Sequence, residues 1–135
     1  MPHEAVTIHD RRERRLAFDL SDLLRLAEAD VRASTWHCSD VECSGSAGAE
    51  LHNLSDRGTK VDGADLLRIA AALDQTIDGD FEGYRSADAA KPWLVIRAID
   101  GTEFVVSTDD ATLLGRVRAK FRDVRASPRD AEDVA

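Results

Sequence analysis

Trp93-Leu-Val-Ile-Arg-Ala-Ile99, Asp100-Gly101 and Thr102-Glu-Phe-Val-Val-Ser-Thr108 read as two extended segments folded back on one another. Branched and aromatic residues fill both arms, and such side chains pack well on a pleated surface. Between the arms, Asp-Gly supplies the two positive backbone angles of a type I′ turn, which sets Ile99 opposite Thr102. In that register one face of the hairpin carries Trp93, Val95, Ile99, Phe104 and Val106. The other presents Leu94, Ile96 and Val105 beside Ala98, Glu103 and Ser107.

Downstream, Asp109 or Asp110 caps a helix that turns Leu113, Leu114, Val117, Phe121 and Val124 one way and Arg116, Lys120, Arg122 and Arg125 mostly another. The cations suit the negative end of the helix dipole. Hairpin and helix together make a C-terminal ββα unit. Upstream, Pro92 disfavours helical geometry at Lys91 and so separates the hairpin from what precedes it. Asp62, with Asp65 three positions on, opens what the spacing predicts to be the longest helix. Its apolar stripe runs Leu66, Ala70, Leu73, Ile77, Phe81, Tyr84, with Gly79 and Gly83 weakening the final turns.

Farther back, a shorter helix is expected from Ser46, with Ala47, Leu51 and Leu54 on one face and a stop at Gly58. Ser34 to Gly45 is rich in residues that bond locally to the backbone and reads as a loop. Ser21 caps a helix reaching Ala33, preceded by a short strand over Leu16–Leu20. Residues 1–10 and 126–135 read as flexible ends around a single domain over 11–125. The expected fold class is therefore a small single α+β domain: three to four helices packed on the C-terminal β-hairpin, extended by an N-terminal strand.

The chain has 135 residues, which suits one domain able to bury roughly two thirds of its unfolded surface. Its 18 Lys+Arg against 26 Asp+Glu give a formal charge of -8, which repels phosphate backbones and anionic lipid at long range. Nucleic acid and membranes are thus disfavoured partners. No apolar stretch approaches the roughly 20 residues that cross a bilayer, and Met1-Pro-His-Glu lacks the basic start of a signal peptide. A cytoplasmic location is expected, with both cysteines reduced.

Cys38, Cys43 and His52, beside His37, are the candidate metal set, because zinc takes such ligands in a tetrahedron. The same cysteines are the only thiol nucleophiles, with Cys43 just ahead of the helix expected at Ser46 and Asp40 and Glu42 acting against a thiolate. Buried, inert cysteine beside a packed Trp36 is the plainer reading. The segment Asp74-Gln-Thr-Ile-Asp78-Gly79-Asp-Phe81-Glu82-Gly-Tyr-Arg85 resembles an EF-hand calcium loop, with acids at its first, fifth and ninth positions and Gly at the sixth. It departs from that pattern at Thr76, Ile77 and Arg85, the last standing where the family has a bidentate glutamate. No phosphate loop, nucleophile elbow or paired-carboxylate spacing is present.

Arg11, Arg12, Arg14 and Arg15 form the densest basic patch, joined by Arg116, Arg118, Lys120, Arg122 and Arg125, and define a small nucleic-acid contact as one alternative. The leading expectation is a non-enzymatic adaptor or regulatory module. It would dock another protein, or a second copy as a homodimer, through the edge or face of the hairpin at Leu94, Ile96 and Val105. The competing expectation is a metal-binding or thiol-dependent protein centred on Cys38, Cys43 and His52.

Overall fold

The computed structural model describes residues 3–127. In chain order the elements are β1 (Glu4–Ile8), β2 (Arg11–Arg12), β3 (Arg15–Leu16), α1 (Leu20–Arg25), α2 (Glu28–Arg32), β4 (Thr35–Gly45), α3 (Gly48–Arg57), β5 (Val61–Asp62), α4 (Gly63–Ala71), β6 (Leu73–Tyr84), β7 (Leu94–Ile99), β8 (Glu103–Thr108), α5 (Ala111–Lys120) and β9 (Val124–Ala126). Seven strands form one antiparallel sheet in the order β5-β4-β6-β7-β8-β1-β9, while β2 and β3 make a separate two-stranded hairpin. The fold is thus mostly sheet with five short helices, and the expected arrangement of three to four helices on a C-terminal hairpin is corrected.

The turn itself is where the sequence places it. Asp100 and Gly101 both take left-handed angles, φ 57° and 68°, and Thr102 N donates to Ile99 O at 2.9 Å. The pairing, however, sets Ile99 opposite Glu103 rather than Thr102. Thr102 is an extra residue after the turn, and a one-residue offset exchanges the faces of an entire strand. Leu94, Ile96 and Ala98 consequently share a face with Phe104 and Val106, while Val95, Arg97 and Ile99 share the other with Glu103, Val105 and Ser107.

Three segments change identity. The stripe expected to continue one helix to Tyr84 stops at Ala71, and residues 73–84 become β6, the longest strand. Leu73, Ile77 and Phe81 fit a helical period by spacing alone. Along the strand, Gly79, Phe81 and Gly83 are buried and Asp80, Glu82 and Tyr84 are half-buried, which is the strand period. Gly83 lies under the indole of Trp36, where a Cβ would come within 2.7 Å of the ring.

The expected loop at 34–45 is β4, paired with β6 along its length. Trp36 and Cys38 point into the core, a bulge at Asp40 (φ 53°) interrupts the alternation, and Val41 is buried beyond it. That interruption conceals the strand in the sequence. The N-terminal segment supplies β1, paired to β8 on one side and β9 on the other. Of Leu16–Leu20, only Leu16 is in a strand, and it pairs within the small β2–β3 hairpin rather than extending the sheet. Ala126, the first residue of the expected tail, ends β9; positions 128–135 lie outside the described residues.

The local helix signals fare better. Asp62 stands at the N-cap position of α4 without a side-chain capping bond, Gly58 (φ 64°) closes α3, and the Asp110 side chain accepts from Thr112 N and Leu113 N at the start of α5. The expected helix from Ser21 to Ala33 is instead split into α1 and α2, and Val124 leaves α5 for β9.

Buried side chains from all five helices, among them Leu24, Val31, Leu51, Leu66, Ile69 and Leu114, join one apolar cluster. From the sheet that cluster takes Val6, Ile8, Phe104, Val106, Leu94, Ile96, Ala98, Phe81, Cys38 and Trp36, all on one face by register. Both indoles are anchored: Trp36 Nε1 donates to Val31 O at 3.1 Å and Trp93 Nε1 to Ser34 Oγ at 2.9 Å.

Candidate functional site

Strand alternation sends the remaining side chains to the opposite face, over which no described helix packs. Its centre is small and mixed: Ala5 and Thr7 from β1, Val105 and Ser107 from β8, Val95 from β7. None of these joins the helix-side cluster, and the valines are nonetheless only 3–4% exposed. Ile99, at 40%, is the large apolar side chain exposed among the described residues.

Polar pairs surround this centre. His3 Nδ1 lies 3.1 Å from Ser107 Oγ, His9 Nε2 3.4 Å from Glu103 Oε1, and His37 Nδ1 3.3 Å from Glu82 Oε1. Arg97 Nε lies 3.5 Å from Asp80 Oδ1. Burial pushes the Asp80 carboxyl above its ordinary range; Arg97 opposes that rise, and Asp40 and Glu82 add to it. Three of the chain's four histidines therefore gather on one face, two of them flanking β1 at its two ends. Sequence reading set His3 and His9 aside in a flexible end. The available signal was Ala5-Val6-Thr7-Ile8, a run with strand character between them.

These groups do not make one catalytic centre. His9–Glu103 and His37–Glu82 are separated by β7 and its neighbours, and four strand spacings from β1 to β4 amount to about 19 Å. Ser107 and His3 resemble the first two members of a nucleophilic relay. Ser107 is buried between paired strands, though, and no carboxylate orients His3 among the described residues.

The residues singled out in the sequence are dispersed. Leu94 and Ile96 lie under the helices, 1% exposed each, and Val105 is on the far face, so the three do not form one surface. Neither long edge of the hairpin is free, since β7 pairs with β6 and β8 with β1.

Cys38 is fully buried, and burial, assisted by Glu82, pushes its thiol up to about 12. Cys43 is also raised, by burial and then by Asp19 and Glu42, and its Sγ contacts Gly48 O at 3.8 Å. Both shifts disfavour the thiolate that a nucleophile or zinc ligand requires. Among the described residues no group of three or more His, Cys, Asp or Glu side chains is placed to hold a metal, and His52 sits apart on α3. The calcium-loop resemblance is corrected too, because residues 74–84 are extended strand. Asp74, Asp78 and Glu82 are then spaced about 13 Å apart along it, too far to converge on one ion.

Two concavities bear on function, while a further one of about 260 Å³ between α2 and α4 is lined by Glu28, Arg32 and Arg68, all held in ion pairs. Of the two, one, of about 190 Å³, lies beside Asp19, Asp22, Asp74 and Arg15. Asp19 is committed within the fold: its Oδ1 accepts from Thr76 N and its Oδ2 from Thr76 Oγ1, both at 2.9 Å. The other, of about 570 Å³, opens between the β2–β3 hairpin and the α5–β9 connection. Basic residues more than a hundred positions apart in sequence, Arg11 and Arg12 with Arg122, line it. Compared with protein-family models, with curated proteins and with solved structures, the chain matches none. Among the described residues no helix is long and apolar enough to cross a membrane.

Proposed function

We propose that the protein is a non-enzymatic interaction module that docks a positively charged, extended segment of a partner protein on the helix-free face of its sheet. The observation that supports this reading is the segregation of all five helices to the opposite face. What faces away from them is a closed centre of Ala5, Val95, Val105 and Ser107, each under 10% exposed, and the surface a partner would meet is its border of half-buried Asp80, Glu82 and Glu103 with the exposed Ile99. Carboxylates spaced two apart on β6 match the period of an extended Lys- or Arg-bearing segment laid across them.

A second copy is a poorer occupant. The chain carries a formal charge of -8, so like faces repel, and a homodimer by addition to β7 or β8 would need an edge that β6 and β1 already fill.

Amide chemical shifts of the intact chain, followed while a lysine-rich alternating peptide is added at low salt, test the proposal. Expected are shifts confined to the helix-free face around Asp80, Glu82, Ile99 and Glu103, with the affinity weakened at least about tenfold by the double reversal Glu82→Lys with Glu103→Lys. Shifts confined to the helices, or affinity that the double reversal leaves intact, would overturn it.

A further inference from the structure

We infer that the cleft between the β2–β3 hairpin and the α5–β9 connection is a binding site for a small soluble phosphoanion. Its two walls are fastened together by Asp10, whose carboxylate accepts from Arg122 N at 3.0 and 3.1 Å and from Asp123 N at 2.7 Å. Ala17 N donates to Asp10 O at 3.0 Å, which ties the base of the hairpin to the same point. The cleft is therefore set up by the fold, not by flexible surface chains meeting by chance.

Its charge is unbalanced toward the positive. Asp10 is consumed by backbone amides, and Asp123 is clasped by Arg125 at 3.0 and 3.3 Å. The guanidinium groups of Arg11, Arg12 and Arg122 make neither an ion pair nor a hydrogen bond to any described residue. Arg15, Arg32, Arg68, Arg85, Arg118 and Arg125 all pair with acids. In a chain with an excess of acids, three unpaired guanidiniums around one cleft present a fork-shaped donor array suited to phosphoryl oxygens.

Size selects among phosphate sources. A space of about 570 Å³ lies within the range of small-molecule sites, roughly 300–1,000 Å³. A polyanion such as RNA would bring many more charges against the acidic remainder of the protein and be repelled, whereas a compact phosphoanion brings only those the cleft neutralises.

Calorimetric titration of the full chain with pyrophosphate at low salt tests the site. Expected is one-to-one binding that Arg122→Gln and Arg12→Gln each weaken by about tenfold, with the amides of Arg122 and Asp123 shifting on saturation. Arg57→Gln removes an equally unpaired arginine from the end of α3 and should leave the affinity unchanged. Melting curves identify any variant that fails to fold, and Arg11→Gln then takes its place. No heat at about millimolar pyrophosphate, or equal weakening by Arg57→Gln, would overturn the site. Tighter binding of a phosphoserine peptide or a single-stranded oligonucleotide at the same salt would overturn its assignment to a small anion.

Discussion

Asp19 shows how a single carboxylate can be structural and still leave a trace in solution. It joins the start of α1 to β6 through Thr76, and Asp19 N donates to Asp22 Oδ2 at 2.9 Å. Burial raises its titration above the ordinary value of 3.8, although bonds from Thr76 and Leu20 pull the other way. A carboxyl raised in the folded state favours folding fully below that ordinary value and loses the contribution as pH rises through the folded one. Asp19→Asn lacks this titration, so acidification from pH 7 to about 3.5 should move the stability difference toward the parent protein, as read by urea unfolding. A difference that stays constant, or moves toward the variant, would contradict the buried placement. Asp19→Ala, which leaves the buried Thr76 N–H without its acceptor, should cost about 1–3 kcal/mol at neutral pH.

At the scale of elements, the β7–β8 hairpin carries the most consequence in the fewest residues. Its turn is pinned from outside by Gly101 N donating to Ile77 O and Asp100 N donating to Asp78 Oδ1. Because Thr102 is the extra residue, deleting it leaves Ile99 opposite Glu103 across a two-residue turn and every cross-strand pair intact. The deletion should cost about 1 kcal/mol or less in a denaturant titration. Had Ile99 faced Thr102, the same deletion would exchange the faces of β8 and drive Glu103 and Ser107 into the core, and unfolding would follow. The sequence reads Thr102 as the first residue of the second arm. That it belongs to the turn was not legible, because Asp-Gly permits both loop lengths and only pairing with β6 and β1 holds Phe104 and Val106 under the helices.

For the whole molecule, the decisive strand is the one nearest the N-terminus. Val6 and Ile8 are 1% and 0% exposed, and β1 is the partner of both β8 and β9. Removing residues 1–10 strips two buried side chains worth roughly 3–6 kcal/mol together, a large part of a typical margin of about 5–15 kcal/mol, before any lost pairing is counted. The truncated chain should show no cooperative thermal transition by circular dichroism. A sharp transition near that of the parent would mean that β1 is dispensable. The open face and the basic cleft depend on the same strand, since His3, Ala5 and Thr7 belong to the first and His9 and Asp10 at its end belong to the second.

What sequence alone determined is what neighbours along the chain decide: the bend at Asp100-Gly101, the start of α4 after Asp62, the cap at Asp110, the helix stop at Gly58. Each is a local balance of backbone angles and nearby acceptors. Only tertiary structure decided that residues 73–84 extend rather than coil, that 35–45 form a strand and that 4–8 sit inside the sheet. The apolar spacing of Leu73, Ile77 and Phe81 serves a helix or a strand equally, and the choice falls to partners far away in sequence: Trp36 over Gly83, and Cys38 and Ile96 on either side of Phe81. The same holds for both candidate surfaces, whose charges come from segments that only the folded sheet and its connections bring together.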